Sequence, residues 1–158
     1  MAKQRIDQGG VEGCEVYGLG RQVISGVGAT RTLTAAESGA LCLFDRAAGV
    51  VYTLPAPVAG MFFEFATTTT ITSNAAKVIT GASSQYLLGT VDLLINGAAT
   101  TLAAVGNGST HVAISSNGTT TGGVIGDFYR VTAVSSTQWV VNGQLSGSGS
   151  LATPFATS

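Results

Sequence analysis

Apolar and polar residues alternate along most of the chain between residues 31 and 145, which predicts β-strands with one buried face. In the aromatic segment after Gly60, every second residue is expected to point into the core, namely Met61, Phe63 and Phe65. The same period of two recurs at Val50, Tyr52 and Leu54, at Val91, Leu93 and Ile95, and at Val112 and Ile114. Because β-branched and aromatic residues fill these runs, the pattern favours short strands over helices.

Asn-Gly dipeptides separate several of these runs, and such dipeptides accept the positive φ angles of tight hairpin turns. They occur at Asn96-Gly97, Asn107-Gly108, Asn117-Gly118 and Asn142-Gly143. Turns recurring every ~10 residues predict an all-β fold, an antiparallel, jelly-roll-like sandwich or barrel of short strands. A single helical turn is predicted from Thr34 to Glu37, where these two residues could form a capping box before Gly39 ends the turn.

The two ends of the chain differ in composition from this β domain. Residues 1–30 hold seven glycines among polar and charged residues, which predicts an extended N-terminal arm, with a disordered leader as the alternative. Residues 146–158 begin with alternating Gly and Ser, which predicts a flexible linker and C-terminal tail. The apolar residues of that tail, Leu151, Pro154 and Phe155, are candidates for contact with a neighbouring subunit, although a terminus of this kind can also fray.

Charged residues make up only 9% of the chain, against about 25% in a typical soluble domain. Such a surface of Ser, Thr, Asn and Gly can be buried against another protein at little desolvation cost. The formal net charge of -1 offers no basic patch for phosphates, which argues against nucleic acid as a partner. No apolar run approaches the ~18 residues of a membrane span, and none resembles a secretory signal. We therefore expect the chain to fold in the cytoplasm and not to associate with a membrane.

The sequence offers little catalytic chemistry. It contains one histidine, His111, and the spacing of Ser109, His111 and Asp127 gives no support to a catalytic triad. Cys14 and Cys42 lack the spacing of metal ligands and are expected to be reduced, mostly buried thiols. We therefore expect a protein that is not an enzyme and holds no metal or cofactor. Trp139, at the end of a strand-like run, is interpreted as a packing residue and not as a sugar-binding platform.

Three segments follow one another in a characteristic order. Segment 32–39 contains the predicted turn, segment 45–55 is a strand that ends in Leu-Pro, and segment 59–65 is an aromatic strand that begins with Ala-Gly. This succession resembles the β modules of tailed-bacteriophage virions, most closely the small head decoration, or cement, proteins. Segments 128–134 and 138–141 are similar to the final hairpin of those modules. The resemblance covers residues 31–143 and leaves out the arm and the tail. Similar successions occur in phage tail and fibre proteins.

The resemblance implies a homotrimer on the outer surface of a phage capsid, where it would tie neighbouring major capsid proteins together after assembly in the host cytoplasm. Weak contacts would then add up because three copies bind at once. Arg5, Arg21 and Arg31 are the candidates for contact with acidic capsid groups, with solvated surface charges as the alternative. A tail or head fibre module that binds a receptor is the second hypothesis. Its glycan platform would need Tyr86, Tyr129 and Trp139.

Overall fold

The computed structural model describes residues 4–5, 15–16, 21–95 and 97–158, and almost all of its regular structure is β-strand. Two mixed sheets, of seven and five strands, pack face to face and enclose the core, while a separate two-stranded pair lies within the first 20 residues. The prediction of an all-β sandwich is confirmed. The predicted single helical turn is also present, as a 3₁₀ helix at Ala35–Glu37 that begins after Thr34.

In chain order the strands are β1 (Gln4–Arg5), β2 (Glu15–Val16), β3 (Val23–Ile24), β4 (Thr30–Thr32), β5 (Leu41–Phe44), β6 (Val51–Thr53), β7 (Phe62–Thr67), β8 (Ala76–Ile79), β9 (Tyr86–Ile95), β10 (Thr101–Asn107), β11 (Ala113–Ser116), β12 (Phe128–Ala133), β13 (Gln138–Gly147) and β14 (Phe155–Ala156). The seven-stranded sheet has the order β10-β9-β13-β12-β7-β5-β3. The five-stranded sheet has the order β14-β11-β8-β6-β4.

The pairing of the strands differs from the antiparallel, jelly-roll-like pattern that the sequence predicted. From β3 to β8, successive strands alternate between the two sheets, so neighbours within one sheet are two strands apart in the chain. Such neighbours run in the same direction, and the pairs β3·β5, β5·β7, β4·β6 and β6·β8 are all parallel. The long strands β9 and β13 also pair in parallel, whereas the hairpins β9–β10 and β12–β13 are antiparallel.

The Asn-Gly dipeptides have three different roles. Gly97, with a φ of +76°, lies in the turn of the β9–β10 hairpin, as predicted. Gly108 and Gly118 also have positive φ, but they begin loops that lead from one sheet to the other. Asn142-Gly143 is not a turn, because it lies inside β13, where a Cβ on Gly143 would come within 2.3 Å of the Tyr129 Cβ. That glycine provides space for the neighbouring strand.

Most of the alternating residues point as the sequence predicted, but Ile95 and Val112 are only partly buried. Met61, Phe63 and Phe65 face the core, as do Val50, Tyr52 and Leu54, all at most 8% exposed. Four aromatic rings form the centre of the core, with centroids 5.3–6.5 Å apart: Phe44, Tyr52, Phe65 and Tyr129. Trp139 is fully buried against Phe63, 6.2 Å between centroids, which confirms its interpretation as a packing residue.

The chain ends belong to the sandwich more than the sequence indicated. Of the predicted arm, residues 21–30 contribute β3 and the start of β4, while most of residues 1–20, including Cys14, lies outside the described residues. The C-terminal segment is not a flexible tail. Strand β13 continues to Gly147, and β14 pairs antiparallel with β11. Pro154 and Phe155 are buried in this chain's own core because the Gly/Ser segment turns the chain back onto the five-stranded sheet.

Candidate functional site

The three arginines expected to contact a capsid have different surroundings. Arg5 is in β1, and its side chain lies outside the described part of the structure. Arg21 forms an ion pair with Glu64, which is also 3.9 Å from Arg130 on the neighbouring strand. Because Glu64 lies between Arg21 and Arg130, part of the positive charge of both arginines is already balanced within the chain.

Arg31 is also engaged within its own chain, where it pairs with Glu37 at the end of the 3₁₀ helix. Glu37 accepts the backbone N–H of Thr34 at 2.7 Å and its hydroxyl at 3.0 Å, which completes the predicted capping contact. Burial alone would raise the pKa of Glu37, but the hydrogen bonds from Thr34 and Arg31 outweigh burial and lower that pKa. Arg31 therefore stabilises a local turn.

A shallow depression of about 290 Å³ lies beside Arg46, an exposed residue that the sequence analysis did not single out. It is lined by Ala29, Thr30, Arg46, Ala48, Gly49, Val51 and Asn74. The Arg46 guanidinium donates to the Gly49 carbonyl at 3.2 Å, and the Asn74 amide donates to the Ala48 carbonyl at 3.2 Å. Within the described ranges no ion pair includes Arg46, so its charge faces the depression and the solvent.

Backbone geometry fixes the wall of this depression. Gly49 has a φ of +78°, and a Cβ at that position would come within 2.3 Å of the Ala75 carbonyl oxygen. Only glycine fits there without moving one of the two loops. Asn74, with a φ of +57°, is the one described residue other than glycine with a positive φ. The sequence contains no signal for this site, because Arg46 and Asn74 line the same depression only once the loop before β6 packs against the loop before β8.

Ser109, His111 and Asp127 do not form a triad. The Nδ1 atom of His111 accepts the backbone N–H of Asn107 at 3.1 Å. The Asn107 side chain in turn accepts the backbone N–H groups of Ser109 and Thr110 at 3.0 and 2.9 Å, which closes the loop after β10. The imidazole stacks on the Phe155 ring, with centroids 5.6 Å apart. His111 therefore fixes the edge of a loop and packs against the C-terminal strand.

Asp127 is buried and connects a loop to β13 of the seven-stranded sheet. Its carboxylate accepts backbone N–H groups from Gly123 at 2.7 Å, Val124 at 3.1 Å and Ser146 at 2.6 Å. Burial raises the pKa of Asp127 above its ordinary value, although these three hydrogen bonds partly offset the effect. The contacts hold residues 123–127 against β13.

The aromatic platform of the receptor-binding hypothesis is not present on the surface. Tyr129 and Trp139 are 3% and 0% exposed, so neither ring can stack on a sugar, and Tyr86 alone of the three retains partial exposure.

Burial raises the pKa of the Cys42 thiol to about 12. Among the described residues, no three His, Cys, Asp or Glu side chains are grouped so as to hold a metal ion.

The apolar residues of the C-terminal segment contact this chain's own core. Pro154 and Phe155 are buried, and Leu151 packs, partly buried, against the same core. Only Leu151 therefore keeps an appreciable apolar surface for the neighbouring subunit that the sequence analysis considered.

In the described part of the chain, no helix is long and apolar enough to span a bilayer.

No protein family matches this sequence, and neither a curated protein nor a solved structure is found to be similar to it.

Proposed function

We propose that this protein is a structural component of a phage virion that binds the outer surface of the capsid and stabilises the contacts between major capsid proteins. One observation carries the proposal: a β-sandwich with a continuous apolar core presents an exterior with few charges, since only 9% of the residues in the whole chain are charged. Such an exterior loses little hydration energy when another protein covers it. The resemblance of residues 31–143 to head decoration proteins supports the same function.

The mechanism requires only binding. Packaged DNA pushes the capsid subunits apart, and a protein that binds across the junctions of the assembled lattice, but not separated subunits, stabilises the lattice by mass action. At a free concentration 100 times the dissociation constant, each occupied site contributes about 2.7 kcal/mol. The buried hydrogen bonds and packed rings of the sandwich keep the binding surface in one shape, so little ordering entropy is lost on attachment.

We assign the capsid contact to the depression beside Arg46, in preference to the arginines expected from the sequence. Arg21 and Arg31 already pair with Glu64 and Glu37, so a capsid carboxylate would have to compete with an internal partner. Arg46 has no such competitor among the described residues. An acidic capsid loop seated beside Arg46 would gain a charge-assisted hydrogen bond at little structural cost.

The experiment is attachment of the purified protein to expanded capsids that lack it. We expect the protein to sediment with these capsids and to raise the temperature at which they break open. Arg46→Glu should weaken attachment about tenfold or more, since it replaces an attraction by a repulsion. Arg21→Glu is the matched control, because it reverses one exposed positive charge that lies in the other sheet's half of the molecule and is already paired with Glu64. Capsids that never bind the wild-type protein would refute the function, and equal attachment of both variants would refute only the role of Arg46.

A further inference from the structure

The outward face of the seven-stranded sheet carries four of the seven large apolar side chains that are exposed among the described residues. One face of this sheet covers the core, and the alternate residues point away from it. On that outward side Val105 of β10 is 60% exposed, Phe128 of β12 is 41% exposed, and Leu94 of β9 is 37% exposed. Val23 of the edge strand β3 is 53% exposed. We call this surface the outer face.

The few charged groups of the outer face are divided between its two halves. Asp92 lies on β9, and its exposed carboxylate belongs to no ion pair among the described residues. Arg130 on β12 lies in the other half, beside Arg21, and these two arginines share the one carboxylate of Glu64. One half therefore has a net charge of -1 from Asp92, and the other has a net charge of +1 from the two arginines and Glu64.

The register of the sheet gives the spacing of these opposite charges. Asp92 is paired with Gln144 of β13, and Arg130 is paired with Asn142 of the same strand. The two charges thus lie on either side of β13 and two residues apart along it. With strands ~4.8 Å apart and ~3.4 Å per residue, their separation is about 12 Å. Neither side chain is a direct neighbour of the other within the chain.

We propose that the outer face is the contact surface between copies of this chain, with Asp92 of one copy against Arg130 of another. A twofold axis passing over β13 would bring each of the two charges opposite its counterpart at once.

The size of the outer face is sufficient for such a contact. Seven strands and about six residues per strand give a flat area of roughly 600 Å², close to the roughly 800 Å² that each partner buries in a standard interface. The apolar side chains supply the burial, and the separated opposite charges select one arrangement of the two copies. A second copy is the occupant that carries both the matching apolar surface and the complementary pair of charges.

The test is the mass of the full chain in solution, measured by sedimentation equilibrium over a wide range of concentrations. We expect the wild-type protein to form oligomers and Val105→Lys to weaken association about tenfold or more. Val58→Lys is the matched control, because Val58 is 62% exposed but lies in the loop between β6 and β7, outside the strands of the face. Thermal unfolding of each variant establishes that its fold is intact.

Charge reversal distinguishes contact between copies from a general loss of stability. Asp92→Lys and Arg130→Glu should each weaken association when alone, because each places two like charges together. When the two variants are mixed, the introduced lysine of the first would face the introduced glutamate of the second. The unchanged Asp92 of the second variant would likewise face the unchanged Arg130 of the first, so we expect mixed oligomers to form again. A misfolded variant would not be rescued in this way.

Three results would overturn the proposal. The wild-type protein could remain monomeric at every concentration, the Val105→Lys variant could associate as well as the Val58→Lys control, or the mixture of charge variants could stay dissociated. A monomeric protein that loses capsid attachment on Val105→Lys would show that the outer face binds the capsid instead. Because the measurement uses no capsids, its failure would leave the proposed virion function untouched.

Discussion

Replacing Phe155 by alanine tests whether the C-terminal segment is part of the sandwich or a mobile tail. The Phe155 side chain is 5% exposed and stacks on His111. Truncating a buried phenylalanine costs about 3–5 kcal/mol. Because β14 has only two residues and lies at the edge of its sheet, the surroundings can partly close the gap, and we expect a value near the lower limit, about 3 kcal/mol.

The expected loss is a substantial fraction of the roughly 5–15 kcal/mol by which a domain is stable. For a chain of 150–250 residues, 1 kcal/mol lowers the midpoint of thermal unfolding by about 2–4 °C, so Phe155→Ala should lower it by about 6–12 °C. The matched control is Thr157→Ala, at an exposed position of the same segment, which should change the unfolding free energy by less than about 0.5 kcal/mol. Urea unfolding followed by circular dichroism measures both.

Hydrogen exchange gives a second, local measurement of the same contact. The backbone N–H of Val112 donates to the Ala156 carbonyl at 2.9 Å, and that of Ser115 donates to the Pro154 carbonyl at 2.8 Å. Both amides should exchange slowly in the wild-type protein and markedly faster in Phe155→Ala. If Phe155→Ala unfolds with the same free energy as Thr157→Ala, or if both amides exchange freely in the wild type, the segment is a loose tail and our account of it is wrong.

Three further outcomes follow from the structure. Glu37 has a lowered pKa in the folded state, so its contacts stabilise the fold above the unfolded pKa of about 4.3, and this stabilisation is lost as the pH falls through the folded pKa. Glu37→Gln should therefore reduce the loss of unfolding free energy at acid pH, as measured by urea unfolding at a series of pH values. An unchanged pH dependence would contradict this account. Gly143→Ala should lower the free energy of unfolding by about 3 kcal/mol, the upper end for overpacking, because the new Cβ would meet Tyr129. Urea unfolding measures this loss. An unchanged free energy would show that β12 and β13 do not approach as closely as described. Cys42 should resist iodoacetamide in the native state, since its thiol is buried and has a pKa of about 12. In a Cys14→Ser variant, the rate of labelling, detected by mass spectrometry, should equal the rate of global unfolding. Rapid labelling of the native protein would show that Cys42 is not buried.

The sequence predicted the buried positions well because a period of two along the chain reports directly which side chains share a face. It predicted Met61, Phe63 and Phe65 as core residues, and all three are buried. It also located the turn from Thr34 to Glu37, because a capping box depends on residues only three positions apart. Such local geometry is visible in any window of a few residues.

The same period does not report which strands become neighbours, so the parallel pairs of both sheets were not predicted. Glycine was also ambiguous. In residues 146–158 the composition indicated a flexible linker, yet a Cβ on Gly147 would come within 2.6 Å of Leu151 and 2.7 Å of the Thr119 carbonyl oxygen. That glycine permits close packing instead of motion. Composition alone cannot separate these two uses of glycine.

Candidate surface residues were the least predictable part. Arg21 and Arg31 stood out in the sequence as isolated positive charges, but their partners Glu64 and Glu37 become neighbours only in the fold. Arg130, which lies 3.9 Å from Glu64, was not singled out for the same reason. The pairing of charges across strands depends on which residues lie opposite one another on neighbouring strands, and the order of distant strands such as β7 and β12 is not visible in a short stretch of the chain.

The alternation of β3 to β8 between the two sheets has a consequence for how the protein forms. Neither sheet is built from one continuous stretch of sequence, so neither can assemble early as an independent hairpin stack. Both layers must be completed together, which implies a high contact order and slow folding. A nascent chain would remain largely unstructured on the ribosome until β12 and β13 had emerged, and chaperones would have an extended period in which to bind it.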